Sequence, residues 1–444
     1  MIVGLRRILR RGPHDREILR LAVPALGALI AEPLYVLTDT AIVGRLGTPQ
    51  LGGLAVATTV LLTLYAVFIF LAYGTTGAVG RLLGAGDARG AAHQAVQGLW
   101  LAAVIGVTVT VVGLLAAPWL VGALGATGAV RTNALVYLRI SLLGVPPLLL
   151  ILAGTGYLRG LQDTRTPLLV AVGTVVANLL LQVWFIYGLG YGIGASALST
   201  VLAQTVGAIV YVRIVVRGAR RHHVDARPDP GAIRALAVVG RDLFVRTLAL
   251  RAALVLATAV ATRIGVADLG AHQIAFEIWS FLALALDAIA IAGQAMIGRL
   301  LGAGDRDGAR AAGRRMVEWG VMAGVASGAA VLILRPVLPR IFTTDPEVLA
   351  LTGFVLWFVA VLQPVNAVAF VLDGVLIGAG DQRFLAGAMV FAAAVFAAVA
   401  VPVLALDLGI GWLWAALGVL MASRVAVLGA RFHGGRWAVV GATR

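Results

Sequence analysis

Apolar runs of about twenty residues or more recur along nearly the whole chain, separated only by short polar interruptions. A run of that length spans the roughly 30 Å hydrocarbon core of a bilayer, where no water satisfies backbone polar groups, so the segment must be helical or belong to a closed barrel. These runs do not alternate polar with apolar residues, and they predict helices at 18–43, 54–79, 93–117, 132–158, 168–187 and 193–216. Six more are predicted at 238–264, 267–297, 314–338, 346–375, 386–406 and 410–431. With 61% hydrophobic and 12% charged residues, against roughly 25% charged in soluble domains, nothing is left to build a soluble domain of any size.

The spans fall into two sets of six. The octapeptide GRLLGAGD stands at 80–87 and again at 298–305, an offset of 218 residues. At the same offset Pro118 falls on Pro336, Pro146 on Pro364, Gly156 on Gly374, Asp163 on Asp381 and Arg165 on Arg383. An even number of spans per copy gives both copies the same orientation. The expected fold class is an all-α membrane protein of twelve transmembrane helices, in two parallel six-helix repeats around a central cavity. The sequence divides as an N-lobe over 1–216, a linker over 217–234 and a C-lobe over 235–444. The linker, with Pro228, Pro230 and Gly231, reads as a cytoplasmic hinge.

The net charge of +15 does not point to nucleic acid, because the basic residues, all arginine, are dispersed over short loops and helix ends. With the N-terminus in the cytoplasm, that side receives Arg6, Arg7, Arg10, Arg11, Arg16, Arg20, the cluster from Arg213 to Arg241, and the C-terminal arginines. The other side keeps Arg45, Arg131, Arg263, Arg335 and Arg340, so the positive-inside rule places both termini in the cytoplasm. The expected location is a bacterial cytoplasmic membrane, crossed many times by what is expected to be a monomer. No cysteine is present, and the paired His222 and His223 read as a solvated loop pair with no carboxylate or cysteine completing a ligand set, so no metal and no cofactor are expected. GAGD lacks the Lys-Ser or Lys-Thr of a phosphate loop and reads as a tight turn closed by aspartate. No catalytic constellation is found, and the chain is not expected to be an enzyme.

Charged groups inside spans cost about 2.5 kcal/mol or more and mark function. Asp39 lies about 30 Å of helix rise from the cytoplasmic start of the first span, where a carboxylate sheltered from water can be neutral or charged near neutral pH. Pro24 and Pro33 give the same helix the means to bend. Depth brings Asn178, Gln182 and Thr200 to the level of Asp39, as an ion-coupling cluster or as interhelical glue. Candidates for substrate binding or gating are Glu32 and Tyr35 in the first span and Gln273, Glu277, Trp279, Asp287 and Gln294 in the eighth. Arg246 and Arg251, in the seventh, lie at a depth that can meet Asp287, while Asn366 and Asp373 lie in the tenth. Asp373, followed by Gly374, reads either as a gate or as an exposed cap.

The segments AEPLYVLTDTAIVGRLG (31–47), AHQI (271–274), LALALDAIAIAGQA (282–295) and FVLDGVLIG (370–378), with GRLLGAG in both halves, resemble the MATE, or multidrug and toxic compound extrusion, transporters of the DinF-like branch. The resemblance implies a secondary active transporter that exports amphipathic, often cationic small molecules by alternating access while an ion flows inward. It implies Asp39 as the coupling acid, with Asn178 and Thr200 at matching cluster positions. Gln182 stands where family members often carry an acid, which speaks against a scheme with two carboxylates in the first half. Asn366 stands where another branch carries one, which weakens a sodium site there and tilts the coupling ion toward protons. Export of an organic acid, or movement of a lipid or lipid-linked precursor, are the alternatives within the same superfamily.

Overall fold

A computed structural model describes residues 12–406 and 408–443; Arg6, Arg7, Arg10 and Arg11 lie outside the described residues. Fourteen helices of fifteen residues or more follow one another: α1 (Asp15–Gly44), α2 (Thr48–Phe68), α3 (Phe70–Gly84), α4 (Ala88–Ala123), α5 (Gly128–Leu142), α6 (Val145–Gly160), α7 (Arg165–Val183) and α8 (Ile193–Arg221). The series continues with α9 (Pro230–Ile264), α10 (Val266–Gly302), α11 (Arg306–Leu334), α12 (Pro346–Gly378), α13 (Gln382–Ala405) and α14 (Ile410–His433). No strand occurs among the described residues, and the apolar helices provide eleven or twelve membrane spans, according to how a bent pair is counted. That pair is α5 and α6, which meet at 46° just before Pro146 and Pro147. A proline at a helix start has no amide to lose to the helix, so the bend is inexpensive there.

The duplicated octapeptide folds as its sequence predicts. Gly86 and Gly304 turn the chain at φ of +77° and +80°, a region that favours glycine. The amide of Asp87 then donates to the Leu82 carbonyl, and that of Asp305 to the Leu300 carbonyl, both at 2.9 Å. The same closure recurs at Asp163 to Leu158 and at Asp381 to Leu376, again at 2.9 Å. Each turn satisfies a helix-end carbonyl, and the carboxylates of Asp87 and Asp305 go on to cap α4 and α11 by accepting from Gly90 and Gly308, at 2.7 Å each.

The chain packs as two compact units, Gly27–Gly240 and Met1–Leu26 with Arg241–Arg444. These are not cut where the sequence halves are. The physical reason is that α1 and α9 are long single helices, 30 and 35 residues, and the unit boundary falls inside each. In the carboxy-terminal unit the first turns of α1 are held by ion pairs. Asp15 accepts from Arg315 at 2.6 and 2.8 Å and from the Trp319 indole at 2.9 Å, and Glu17 pairs with Arg299 at 2.7 Å.

Both units use the same small-residue helix crossing. A Cβ on Gly156 would stand 2.6 Å from the Ala72 carbonyl oxygen, and one on Gly378 would stand 2.5 Å from that of Gln294. Only a missing side chain lets α3 meet α6, and α10 meet α12, that closely. The segment read as a hinge is held in place. Helix α8 runs on to Arg221, and the fully buried Gln97 of α4 donates to the Arg227 carbonyl at 3.1 Å and accepts from the Asp229 amide at 2.9 Å. The Trp100 indole adds a bond to the Ala226 carbonyl at 2.9 Å.

Candidate functional site

Asp39, only 4% exposed, is carried by α1 into a pocket of neutral donors within the amino-terminal unit. Gln182 of α7 donates to its Oδ1 at 2.5 Å, Ser196 of α8 donates to the same oxygen, and the Tyr137 hydroxyl of α5 donates to Oδ2 at 3.1 Å. Among the described residues no arginine or histidine is a hydrogen-bond partner of Asp39. A second set leans on the first. Asn178 donates to Thr200 at 2.9 Å and to Ser199 at 3.4 Å, Thr200 shares a 2.8 Å hydrogen bond with Tyr35, and both Ser199 and Thr200 donate to the Ser196 carbonyl. The structure thus gathers Asp39, Asn178, Gln182 and Thr200, with Tyr35, into one network. Glu32 lies two turns of α1 below Asp39 and interacts with Tyr65.

Sequence reasoning missed Tyr137, Ser196 and Ser199. Ser196 carried a usable signal, since it precedes Thr200 by four residues and so shares its helix face. Tyr137 carried none, being one aromatic in an apolar span. Just past Gln182 the helix loosens into a π turn, Trp184–Gly188. Trp184 points outward there, 57% exposed, while Phe185 and Ile186 pack with Ala195, Ile42 and Leu46.

The internal repeat shows how particular this pocket is. At the 218-residue offset Tyr35, Asp39, Tyr137, Asn178 and Gln182 fall on Ala253, Ala257, Val355, Phe396 and Ala400. All five of those are buried in one apolar core cluster. The register then slips by one, because Gly192-Ile193-Gly194 matches Gly409-Ile410-Gly411 at an offset of 217. The extra residue of the first half falls in the stretch that holds the π turn, a common place for such turns to appear and a frequent neighbour of functional sites. Ser196, Ser199 and Thr200 then match Leu413, Ala416 and Leu417, also members of that core. One unit carries a polar pocket, and the other has the same position sealed with hydrocarbon.

The carboxy-terminal unit has charges of its own. Asp373 is 3% exposed and lies between two guanidinium groups, Arg246 of α9 at 2.5 Å and Arg424 of α14, itself 2% exposed. The exposed-cap reading of Asp373 does not survive, because the residue is the centre of a buried Arg-Asp-Arg cluster. Arg424 was missed because one arginine late in the last span looks like a basic helix end. Asp287 acts electrostatically on Arg424, and Arg251 is exposed. Gln273 and Glu277 share an exposed face of α10, away from the buried charges, and Trp279 is half-buried against Phe276 with ring centroids 5.5 Å apart. Gln294 is buried with its Oε1 unpartnered among the described residues. Asn366 is buried with both amide atoms unpartnered, as is its neighbour Gln363. No group of three or more potential metal ligands occurs among the described residues.

The MatE family pattern matches residues 24–184 and 245–403, most of both halves. The chain belongs to the MatE family. Protein DETOXIFICATION 44, chloroplastic, of Arabidopsis thaliana is 32% identical over 431 residues, covering 93% of this chain and 81% of that protein. The DNA damage-inducible protein F of Escherichia coli (strain K12) is 30% identical over 442 residues, covering 95% and 94%. Among solved structures, a MATE protein in the bent conformation superimposes with a TM-score of 0.87 at 23% identity, over 96% of each chain. A transporter of the MOP superfamily from Pyrococcus furiosus, described as having a binding pocket of reverse polarity, does so with a TM-score of 0.85 at 23% identity, over 97% and 96%. Those structures establish the shared fold. As a MATE protein the chain is a multi-pass membrane efflux transporter and not an enzyme.

Proposed function

We propose that this MATE protein exports amphipathic, often cationic small molecules in exchange for protons, from a bacterial cytoplasmic membrane with both termini inside. The observation that carries the reading is the all-neutral donor shell of Asp39. A buried carboxylate without a basic partner is free to exchange a proton, whereas one fixed by an arginine stays charged. In the present arrangement all three contacts donate to Asp39. A protonated carboxyl becomes a donor itself, so at least one of the three must turn or leave. The hydroxyls of Ser196 and Tyr137 can rotate to accept; the Gln182 NH₂ cannot. Proton uptake therefore changes which groups donate and which accept between α1, α5, α7 and α8, and Pro24 and Pro33 give α1 the means to bend in response.

Proteoliposomes with an imposed pH gradient test this. Asp39→Asn, which keeps the shape and removes the exchangeable proton, abolishes gradient-driven export while leaving the folded protein intact; full gradient-driven export by this variant refutes the proton-coupling reading. A sodium gradient in place of the pH gradient drives no transport. A second reading, export of an organic acid, draws on Arg246, Arg251 and Arg424 outnumbering Asp287 and Asp373 in the carboxy-terminal unit. Competition between a lipophilic cation and a tricarboxylate for the same vesicles separates the two.

A further inference from the structure

A cavity of 320 Å³ opens in the amino-terminal unit where the end of α8 passes the first GRLLGAGD turn. Leu83, Leu161 and Ile214 supply the apolar part of its lining, and Arg217, Arg221 and His222 the basic part. The lining also includes Tyr157, whose hydroxyl oxygen would lie 2.7 Å from a Cβ on Gly218, so the absent side chain keeps that place open. Arg217 and Arg221 are exposed, stand one turn apart, and have no ion-pair or hydrogen-bond partner among the described residues. Two like charges on adjacent turns repel each other, and they persist here with no carboxylate to offset them.

Depth sets the chemistry of what they face. Arg217 comes 24 residues after Ile193, about 36 Å of helix rise, past the roughly 30 Å of hydrocarbon and inside the roughly 40–45 Å that includes headgroups. The apolar lining faces acyl chains, and the guanidinium groups sit at phosphate level. The repeat supplies a second observation. Leu83 and Ala88 correspond to Leu301 and Arg306, and in the carboxy-terminal unit that place is occupied by the chain's own tail. Gly441 donates to the Leu301 carbonyl at 3.0 Å, Arg306 donates to the Ala438 carbonyl at 2.9 Å, and the fully buried Trp437 stacks on Phe432 with ring centroids 5.3 Å apart. In the amino-terminal unit the chain after α8 turns instead toward Gln97 and Trp100, leaving the cavity without a plug among the described residues.

We propose that this cavity binds the phosphate of an anionic phospholipid headgroup, with Arg217 and Arg221 on the phosphate and the acyl chain along Leu83, Leu161 and Ile214. Basic pockets between spans on the cytoplasmic side have this chemistry. The site lies apart from the Asp39 network and does not depend on the coupling ion.

Native mass spectrometry of the delipidated full-length protein tests it, with phosphatidylglycerol, phosphatidylcholine and inorganic phosphate as separate arms. Phosphatidylglycerol binds in preference to phosphatidylcholine, and the double variant Arg217→Gln/Arg221→Gln weakens it about thirtyfold, the size expected for two basic side chains at an anionic surface. Arg220→Gln, which removes one charge from the same helix end but does not line the cavity, leaves binding within about twofold, against about fivefold for Arg217→Gln or Arg221→Gln alone. Equal binding of the two lipids overturns the proposal, as does an equal loss from Arg220→Gln, which would signify diffuse charge. Inorganic phosphate binding as tightly as the lipid overturns the lipid as the source. All variants are compared at matched size-exclusion profiles, and because both arginines are exposed the fold stands without them.

Discussion

Replacing Asp373 by asparagine removes the carboxylate that Arg246 and Arg424 share while preserving its volume. Arg246 at 2.5 Å and Arg424 in contact are left facing each other, the latter with 2% of its surface exposed. Breaking a buried ion pair in this way costs about 3–5 kcal/mol, because a desolvated charge loses its partner. The same reasoning makes the loss conditional. In the Asp373→Asn background, Arg424→Gln removes one of the stranded charges, so the double variant is less destabilised than the sum of the single variants by about 2 kcal/mol. The assay is unfolding in mixed micelles by titration with sodium dodecyl sulfate, followed by tryptophan fluorescence, on the four proteins of the double-mutant cycle. Transport per folded molecule is measured in parallel and stays near wild type if the cluster only holds α9, α12 and α14 together. Additivity within about 0.5 kcal/mol, or an Asp373→Asn protein as stable as wild type, refutes the account of the cluster as a mutually dependent buried set.

Further perturbations address the other contacts. Gln182→Leu removes one of three donors to a buried carboxylate; a hydrogen bond to a charged group contributes about 1.5–3 kcal/mol, so pH-gradient-driven export falls tenfold or more in the vesicle assay, and an unchanged rate excludes Gln182 from the coupling network. Gly156→Leu forces α3 and α6 apart, since even a Cβ would stand 2.6 Å from the Ala72 carbonyl oxygen; thermal unfolding in detergent shows a large loss, and Gly173→Leu, with nothing within 4 Å, shows almost none. Gln97→Leu frees the backbone at Arg227 and Asp229, and limited proteolysis by trypsin after Arg220 or Arg221 accelerates; unchanged cleavage refutes the anchoring role of Gln97.

The helices, the two-fold repeat and the four gathered residues of the Asp39 network were legible in the sequence for physical reasons. Bilayer thickness fixes span length, and rise per residue fixes depth, so Asp39, Asn178, Gln182 and Thr200 could be brought to one level by arithmetic. What arithmetic does not give is the direction each helix face points. Gln273 and Glu277 lie on an exposed face of α10, while His272, one position earlier, is 1% exposed and packs on Trp414. The pairing of Asp373 with Arg424 joins residues 51 positions apart in different spans, for which no local pattern exists. The anchorage of the linker was hidden for a different reason. Pro228 and Pro230 break helices, but a broken helix is not a loose one when a buried amide elsewhere binds its backbone.

The four aspartate-closed turns also bear on how such a chain is assembled. Each joins two apolar helices through the same backbone bond, Asp87 to Leu82, Asp163 to Leu158, Asp305 to Leu300 and Asp381 to Leu376. A turn closed by its own neighbours needs no distant partner, so it can form as soon as its second helix leaves the ribosome. For biogenesis the protein is thus four helical hairpins, α3 with α4, α6 with α7, α10 with α11 and α12 with α13, each ready to enter the bilayer as a pair. The helices that begin and end each half, α1, α8, α9 and α14, stand outside this scheme and must wait for tertiary partners, and α1 and α8 are the ones that bring Asp39 and Ser196 to each other.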